Sequence, residues 1–295
     1  MTGIGARVAG APISWGVCEV PGWGHQMLPD RVLAEMAAVG LAATELGPDG
    51  FLPADPRDAA TLLAARGMRA VGGFVPVVLF DPAVDPMPVV ERALAHLTAA
   101  GATSLVLAAA SGSDGYDERP DLDEAGWRTL LAHLDRIREA AGERGVEATL
   151  HPHVGTMVEQ RAEVERVLES SAIGLTLDTG HLLVGGTDPV ALAREAGERV
   201  RHTHLKDVRA DVAERVRGGE LGYADGVRHG LYAPLGEGDV DIAAIVEALE
   251  GSGYDGWYVL EQDTVLAAEP AAGEGPIADV RASIEFLHAI AGAPR

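Results

Sequence analysis

Short apolar runs alternate with amphipathic segments along the whole chain. The runs are rich in Ala, Val, Leu and Ile, which is typical of strands buried on both faces. The segments between them repeat apolar residues every three or four positions, as helices packed on a sheet do. In residues 123–145, for example, one face carries Leu130, Leu134, Ile137 and Ala141. The predicted strands are residues 8–15, 41–46, 68–74, 102–108, 146–151, 173–178, 200–205 and 256–261.

Helices are predicted between these strands, and the alternation continues without a change of composition between the two halves of the chain. Eight strand–helix units over 295 residues fit a closed parallel barrel better than an open sheet. The predicted fold is therefore α/β, a single (β/α)8 TIM barrel spanning residues 1–295. A polar, glycine-containing insertion is expected at about residues 208–238, after the seventh strand. The predicted helices are residues 29–40, 57–67, 88–101, 123–145, 158–170, 188–197, 239–251 and 277–291.

The last four predicted strands end abruptly in polar residues that can bind metals, namely His151, Asp178, His204 and Glu261. In a parallel barrel the carboxyl ends of all strands face one mouth, so these side chains should converge there. Two imidazoles and two carboxylates suit a divalent first-row metal better than Ca²⁺. We expect Mn²⁺ or Co²⁺, with Zn²⁺, Fe²⁺ and Mg²⁺ as alternatives.

Two further histidines share strand faces with these candidates. His153 lies two residues after His151, and His202 lies two residues before His204. Because side chains in a strand repeat every second residue, either histidine of the first pair could be the first ligand. A single histidine at a strand end is more often structural than metal-binding. The prediction therefore rests on the convergence of several strand ends.

Lys206 is the only lysine among 23 basic residues. The chain otherwise uses arginine for positive charge, so this position is interpreted as one that requires a compact, titratable ammonium. Chance retention of a lysine is the alternative interpretation.

Three more residues are candidates for contact with a substrate. Trp15 precedes a glycine at the predicted tip of the first strand and is expected in the wall of the site. Glu45 ends the second strand and is expected to touch the substrate or to pair with an arginine at the core edge. Arg209 is predicted to bind substrate, whereas Asp207 is expected to form a surface ion pair with it.

The composition excludes several classes of function. A formal net charge of −22 argues against nucleic acid as a partner, because phosphate binding needs a basic surface. The one cysteine, Cys18, allows no intrachain disulfide. The N-terminus shows no secretory signal pattern, and no apolar run approaches the roughly 18 residues of a membrane span. A cytoplasmic protein with no membrane partner is expected.

Several motifs resemble those of inosose dehydratases, a group within the xylose-isomerase-like (sugar phosphate isomerase/epimerase) superfamily of TIM barrels. The motifs are residues 11–16, 44–47, 153–156, 178–181, 202–209 and 256–261. The resemblance implies that Asp178, His204 and Glu261 are metal ligands and that His181 contacts substrate or orients the site. The first ligand of the sugar epimerases is usually glutamate. Here the matching stretch, residues 151–153, resembles the histidine-rich stretch of the dehydratases.

The resemblance implies a metal-dependent dehydratase that acts on a cyclic polyol ketone such as scyllo-inosose, by enolisation and β-elimination of water. Glu261 is the expected base, Lys206 or a histidine such as His151 the expected acid, and His153 and His181 are expected substrate contacts. One alternative is an isomerase or epimerase of a keto-sugar or inosose, or a related β-eliminating lyase. Another is a sugar-binding barrel without catalytic activity. The sequence is compatible with a homo-oligomer.

Overall fold

The strands follow the predicted order in the computed structural model, which describes residues 4–292. The predicted domain also included residues 1–3 and 293–295, which lie outside the described residues. Along the described chain, strands β1 to β11 are Val8–Gly10, Ala43–Thr44, Arg69–Ala70, Gly72–Val77, Ser104–Ala109, Glu147–Leu150, Gly174–Asp178, Val200–Leu205, Asp207–Val208, Tyr232–Ala233 and Tyr258–Leu260.

Nine of these strands form one parallel sheet within the described residues, in the order β3-β2-β1-β11-β8-β7-β6-β5-β4. The two edge strands, β3 and β4, adjoin each other in the chain, so the third predicted strand closes the sheet into a barrel. Val71 links them: its N–H donates to the Thr44 carbonyl at 3.0 Å and its own carbonyl accepts from Ser104 N–H at 3.2 Å. The predicted TIM barrel is confirmed.

Helices surround this sheet close to their predicted positions. In the described chain, α1 to α11 are Pro29–Ala38, Pro56–Ala64, Met87–Ala100, Glu124–Gly142, Arg161–Ser170, Thr179–Val184, Pro189–Ala196, Ala210–Arg217, Tyr223–Arg228, Ile242–Gly251 and Pro276–Gly292. The predicted apolar face of α4 is fully buried, with Leu130, Leu134, Ile137 and Ala141 all at 0% exposure. Every residue of β5 and β7 is buried as well, as expected for strands covered on both faces.

The first strand is shorter than predicted. It ends at Gly10, and Pro12–Trp15 form a 3₁₀ turn instead of the strand's second half. Pro12 lacks the N–H that a strand would donate to its neighbour, and Gly16 ends the turn with a φ of 77°. Trp15 is therefore not at a strand tip.

The segment after β8 contains α8, α9 and the short antiparallel pair β9–β10. Asp207, at its start, was expected in a surface ion pair, and this expectation is wrong. The side chain is 1% exposed, and its carboxylate accepts backbone N–H groups from Val208, Gly236, Gly238 and Val240 at 2.8–3.0 Å. The returning end of the segment is thus fastened to its beginning.

Among residues 4–292, no helix is both long enough and apolar enough to cross a membrane.

Replacing Asp207 with alanine should destabilise the protein by about 3 kcal/mol, because buried N–H groups would lose a charged acceptor. The free energy of unfolding, measured in urea, checks this value. The matched control is Asp211→Ala on the exposed side of α8, which should change stability by less than about 0.5 kcal/mol. Equal effects of the two substitutions would contradict the role assigned to Asp207.

Candidate active site

A cavity of about 650 Å³ lies at the carboxyl ends of the barrel strands. This volume is in the usual range for small-molecule sites. Six of the side chains that the sequence singled out line it: Glu45, His151, His153, His204, Lys206 and Glu261. The structure therefore brings together residues that are more than 200 positions apart in the chain.

Asp178 lies at the end of β7 and also caps the helix that follows. Its Oδ1 accepts the N–H groups of Gly180 and His181 at 2.9 and 2.8 Å, which begins α6. Its Oδ2 points the other way, 3.1 Å from His151 Nε2 and 3.4 Å from His204 Nδ1. The sequence pattern predicts a strand end at Asp178 but not α6. In the Asp-Thr-Gly-His motif, Oδ1 of the aspartate caps α6, and its Oδ2 is free to contact the histidines of the site.

His204 connects this carboxylate to the last strand. Its Nδ1 lies 3.1 Å from Glu261 Oε2. The ring centroids of His204 and His151 are 4.9 Å apart. Ligand atoms of His151, Asp178 and His204 all fall within 4.8 Å of one another, and all three residues are buried. Glu261 approaches the same histidine nitrogen from the side of β11.

These residues fit a divalent metal. Among the described residues, the buried Nδ1 atoms of His151 and His204 have no partner in hydrogen-bonding geometry, although Glu261 Oε2 lies 3.1 Å from His204 Nδ1. Buried polar atoms are rarely left unpaired, so such atoms need an explanation. Two imidazoles and two carboxylates around one point form a donor set suited to a first-row transition metal. His153 is placed differently, because its Nδ1 lies 2.7 Å from the carbonyl of Val154.

Lys206 lies beside this donor group and is 2% exposed. Its Nζ is 2.6 Å from Asp263 Oδ1, 3.1 Å from Glu261 Oε2 and 3.4 Å from Asp178 Oδ2. Burial by itself would lower the pKa of Lys206, but these carboxylates outweigh burial and raise that pKa well above its usual range. A charged ammonium is therefore held at the edge of the cavity.

Two stacked histidines lie on the other side of Lys206. The rings of His153 and His181 are 3.6 Å apart between centroids, and His181 Nε2 is 2.9 Å from Lys206 Nζ. Burial lowers the pKa of both histidines well below its usual range, so both rings are neutral. His153 borders the cavity itself, whereas His181 lies behind it.

Asp263 and two tyrosines belong to the same cluster, although no sequence pattern predicts a role for them. Tyr223 donates its hydroxyl to Asp263 Oδ2 at 2.6 Å and lies 2.8 Å from the hydroxyl of Tyr232. Both tyrosines come from the segment between β8 and α10. The one available signal was the position of Asp263, two residues beyond a predicted ligand. The tyrosines carried no signal, because only the fold of this segment brings them to the site.

Two residues that were predicted to contact substrate lie elsewhere. Trp15 is fully buried in the core, where its indole N–H donates to Glu35 of α1 at 2.8 Å. The 3₁₀ turn after β1 directs it away from the cavity. The Arg209 guanidinium donates to the carbonyls of Gly230 and Tyr232, so it fastens the segment after β8 and does not line the cavity.

Glu45 has no arginine partner among the described residues. Its Oε1 lies 2.7 Å from His202 Nε2 and 3.1 Å from His204 Nε2. Glu45 thus contacts the metal-competent group through the ring edge of His204 that faces away from Asp178.

Residues 33–290 match the family model for the xylose isomerase-like TIM barrel. The chain belongs to this family. An inosose dehydratase from Geobacillus kaustophilus is 32% identical over 276 residues, covering 88% of this chain and 89% of that protein. The rhizopine catabolism protein MocC from Rhizobium meliloti is 35% identical over 268 residues, which cover 87% of this chain and 81% of MocC.

The solved structure of the IOLI protein with a binding zinc atom has the same fold, with a TM-score of 0.69. The match covers 97% of this chain and 98% of the IOLI chain, with 14% sequence identity. The resemblance seen in the sequence is confirmed by these relatives, and so is the expectation that this member of the xylose isomerase-like family is an enzyme.

The close approach of α6 to Lys206 yields a test of the site's packing. A Cβ atom at Gly180 would lie 2.7 Å from Lys206 Cβ and 2.8 Å from the Tyr232 ring. Gly180→Ala should therefore destabilise the protein by about 1–3 kcal/mol through overpacking. Gly142→Ala is the matched control, since nothing lies near its Cβ at the end of α4, and it should be neutral or stabilising. Denaturant unfolding of both variants measures the difference, and a stable Gly180→Ala protein would contradict the contact.

Proposed function

We propose that the protein is a metal-dependent dehydratase of a cyclic polyol ketone of the scyllo-inosose type. The observation that carries the proposal is the Lys206 ammonium lying 3.1 Å from the Glu261 carboxylate, beside a group of metal-competent side chains. A base and an acid are thus adjacent at one end of a small-molecule cavity. The inosose dehydratase relative supports the choice of substrate class.

We propose His151, Asp178, His204 and Glu261 as the residues that hold the metal, with Mn²⁺ or Co²⁺ preferred and Zn²⁺, Fe²⁺ or Mg²⁺ as alternatives. His151 is preferred to His153 as first ligand because it contacts Asp178, while His153 is bonded to a backbone carbonyl. A bound divalent metal would polarise the ketone and its neighbouring hydroxyl and so acidify the adjacent C–H.

In the elimination, Glu261 acts as the base and Lys206 as the acid. The Glu261 carboxylate removes the proton from the carbon next to the ketone, and the C–H electron pair forms the enolate. When the enolate collapses, the C–O bond at the β-carbon breaks. The hydroxyl departs as water with a proton from the Lys206 ammonium. Glu261 and Lys206 are 3.1 Å apart, so proton transfer between them restores both groups.

The neutral histidines and the tyrosine network orient the reactants. His153 borders the cavity with a neutral ring, which suits hydrogen bonding to the hydroxyls of a polyol. Asp263 anchors Lys206 by accepting its Nζ–H at 2.6 Å and is itself held by Tyr223. Positioning of this kind limits where the ammonium can deliver its proton.

The alternative is an isomerase or epimerase acting on a keto-sugar or inosose at the same site. It is favoured by one observation: Asp263 lines the cavity together with Glu261 and offers a further carboxylate near it. Epimerases need proton transfer on both faces of a carbon, for which two carboxylates are suited.

The metal-loaded protein should convert scyllo-inosose to an unsaturated or diketone product that absorbs in the ultraviolet. Loading with Mn²⁺ or Co²⁺ should support turnover, and removing the metal with a chelator should abolish it. Absorbance measurements follow dehydration directly. NMR in deuterated water serves as the companion measurement, because epimerisation places deuterium beside the ketone without loss of water. Absence of dehydration with both metals, while deuterium is incorporated, would replace the proposal by its alternative.

Lys206→Arg should retain metal binding but lose activity by about 10²–10⁴-fold. A guanidinium is larger than an ammonium, and its planar fork cannot present a proton from the single point that the ammonium occupies. The steady-state rate and the metal content of the purified variant check both parts. Arg209→Lys, the reverse exchange outside the cavity, is the matched control and should keep activity. Normal activity of Lys206→Arg would exclude Lys206 as the acid.

A further inference from the structure

We propose that Glu45 is a positioning residue that sets which ring nitrogen of His204 faces the metal. The inference rests on the proposed function only in requiring that His204 be a metal ligand. It does not depend on the substrate or on the reaction.

The ring of His204 lies between two groups of carboxylates. Its Nε2 is 3.1 Å from Glu45 Oε1, while its Nδ1 is 3.1 Å from Glu261 and 3.4 Å from Asp178. A neutral imidazole carries one N–H and one lone pair. When Nε2 donates its N–H to Glu45, the lone pair must be on Nδ1, toward the metal-competent oxygens. This is the arrangement in which a carboxylate orients a histidine ligand.

Glu45 can do this because the barrel holds it rigidly. Its N–H donates to the Gly10 carbonyl at 2.9 Å, which fixes the backbone directly after β2. Its side chain is 3% exposed and points inward. Gly72, the first residue of β4, lies beside the carboxylate, since a Cβ there would be 3.4 Å from Glu45 Oε1.

Glu45 also contacts a second histidine, His202. His202 Nε2 lies 2.7 Å from the same oxygen, and His202 is 0% exposed. Glu45 could therefore serve only to satisfy a buried histidine of the barrel interior. The two roles make different predictions, because only one of them passes through His204 to the metal.

The test compares Glu45→Gln and Glu45→Ala with His202→Leu, which removes the other donor and leaves the His204 contact in place. Metal-free proteins are titrated with Co²⁺, and both the dissociation constant and the visible spectrum of bound Co²⁺ are recorded. We expect both Glu45 variants to bind Co²⁺ about 10–100-fold more weakly than wild type. Their Co²⁺ spectra should also shift, whereas His202→Leu should bind with near wild-type affinity and spectrum.

A second measurement remains informative if the Co²⁺ affinities are affected by stability. In the Zn²⁺-loaded protein, the ¹⁵N chemical shifts of the His204 ring report which nitrogen carries the proton. Wild type should show a protonated Nε2, and the Glu45 variants should show exchange or the opposite tautomer. Circular dichroism confirms that each variant is folded.

Wild-type Co²⁺ affinity in both Glu45 variants, or an equal loss in His202→Leu, would overturn the inference while leaving the proposed function intact. Absence of Co²⁺ binding by wild type would overturn both. Weakened binding in the Glu45 variants, together with no dehydration by the loaded wild type, would support the inference and reject only the dehydratase proposal.

Discussion

One buried ammonium holds the carboxylates of this barrel mouth together. Lys206 contacts Asp178, Glu261 and Asp263, which come from the ends of β7 and β11 and from the loop beyond. Three carboxylates this close would repel one another strongly without a cation, because the surroundings are shielded from water. The ion cluster explains why the only lysine of the chain lies here. An arginine at the same position would place a planar, forked guanidinium among carboxylate oxygens that are arranged around a single nitrogen atom.

The segment after β8 completes the environment of this ammonium. Asp207 fastens its two ends, Tyr223 donates its hydroxyl to Asp263, and the Tyr232 hydroxyl is hydrogen-bonded to that of Tyr223. Lys206 Nζ also lies 5.4 Å from the Tyr232 ring centroid, a distance at which a cation is attracted to an aromatic face. The barrel supplies the metal-competent side chains, and the added segment fixes the position of the cation beside them. The barrel strands and the added segment therefore both contribute to the site.

The sequence predicts the barrel and the converging strand ends because both depend on local patterns. Buried parallel strands are continuous apolar runs, and in a barrel their polar ends must meet. Trp15 was misplaced because Pro12 ends the strand early, a short-range effect that a long apolar run conceals. Asp207 was misplaced because its partners are backbone N–H groups some thirty residues away. Asp263 and its tyrosines depend on tertiary contacts for which the sequence has no periodic signal.

The residue at position 151, the first of the four proposed metal ligands, bears on the choice between dehydration and epimerisation. A glutamate at position 151 would place another anion near Asp178 and could act as a base across the substrate from Glu261. His151 contributes a donor atom without negative charge, and burial lowers its pKa, which favours the neutral ring that can bind a metal. The cavity then has one carboxylate in the metal-competent group that can also face substrate, paired with an acid. Asp263, a further carboxylate of the cavity, is engaged by both Lys206 and Tyr223 at 2.6 Å, which leaves it poorly available as a second base. Elimination of water requires one base and one acid close together, so the Glu261–Lys206 pair supports the proposed dehydration.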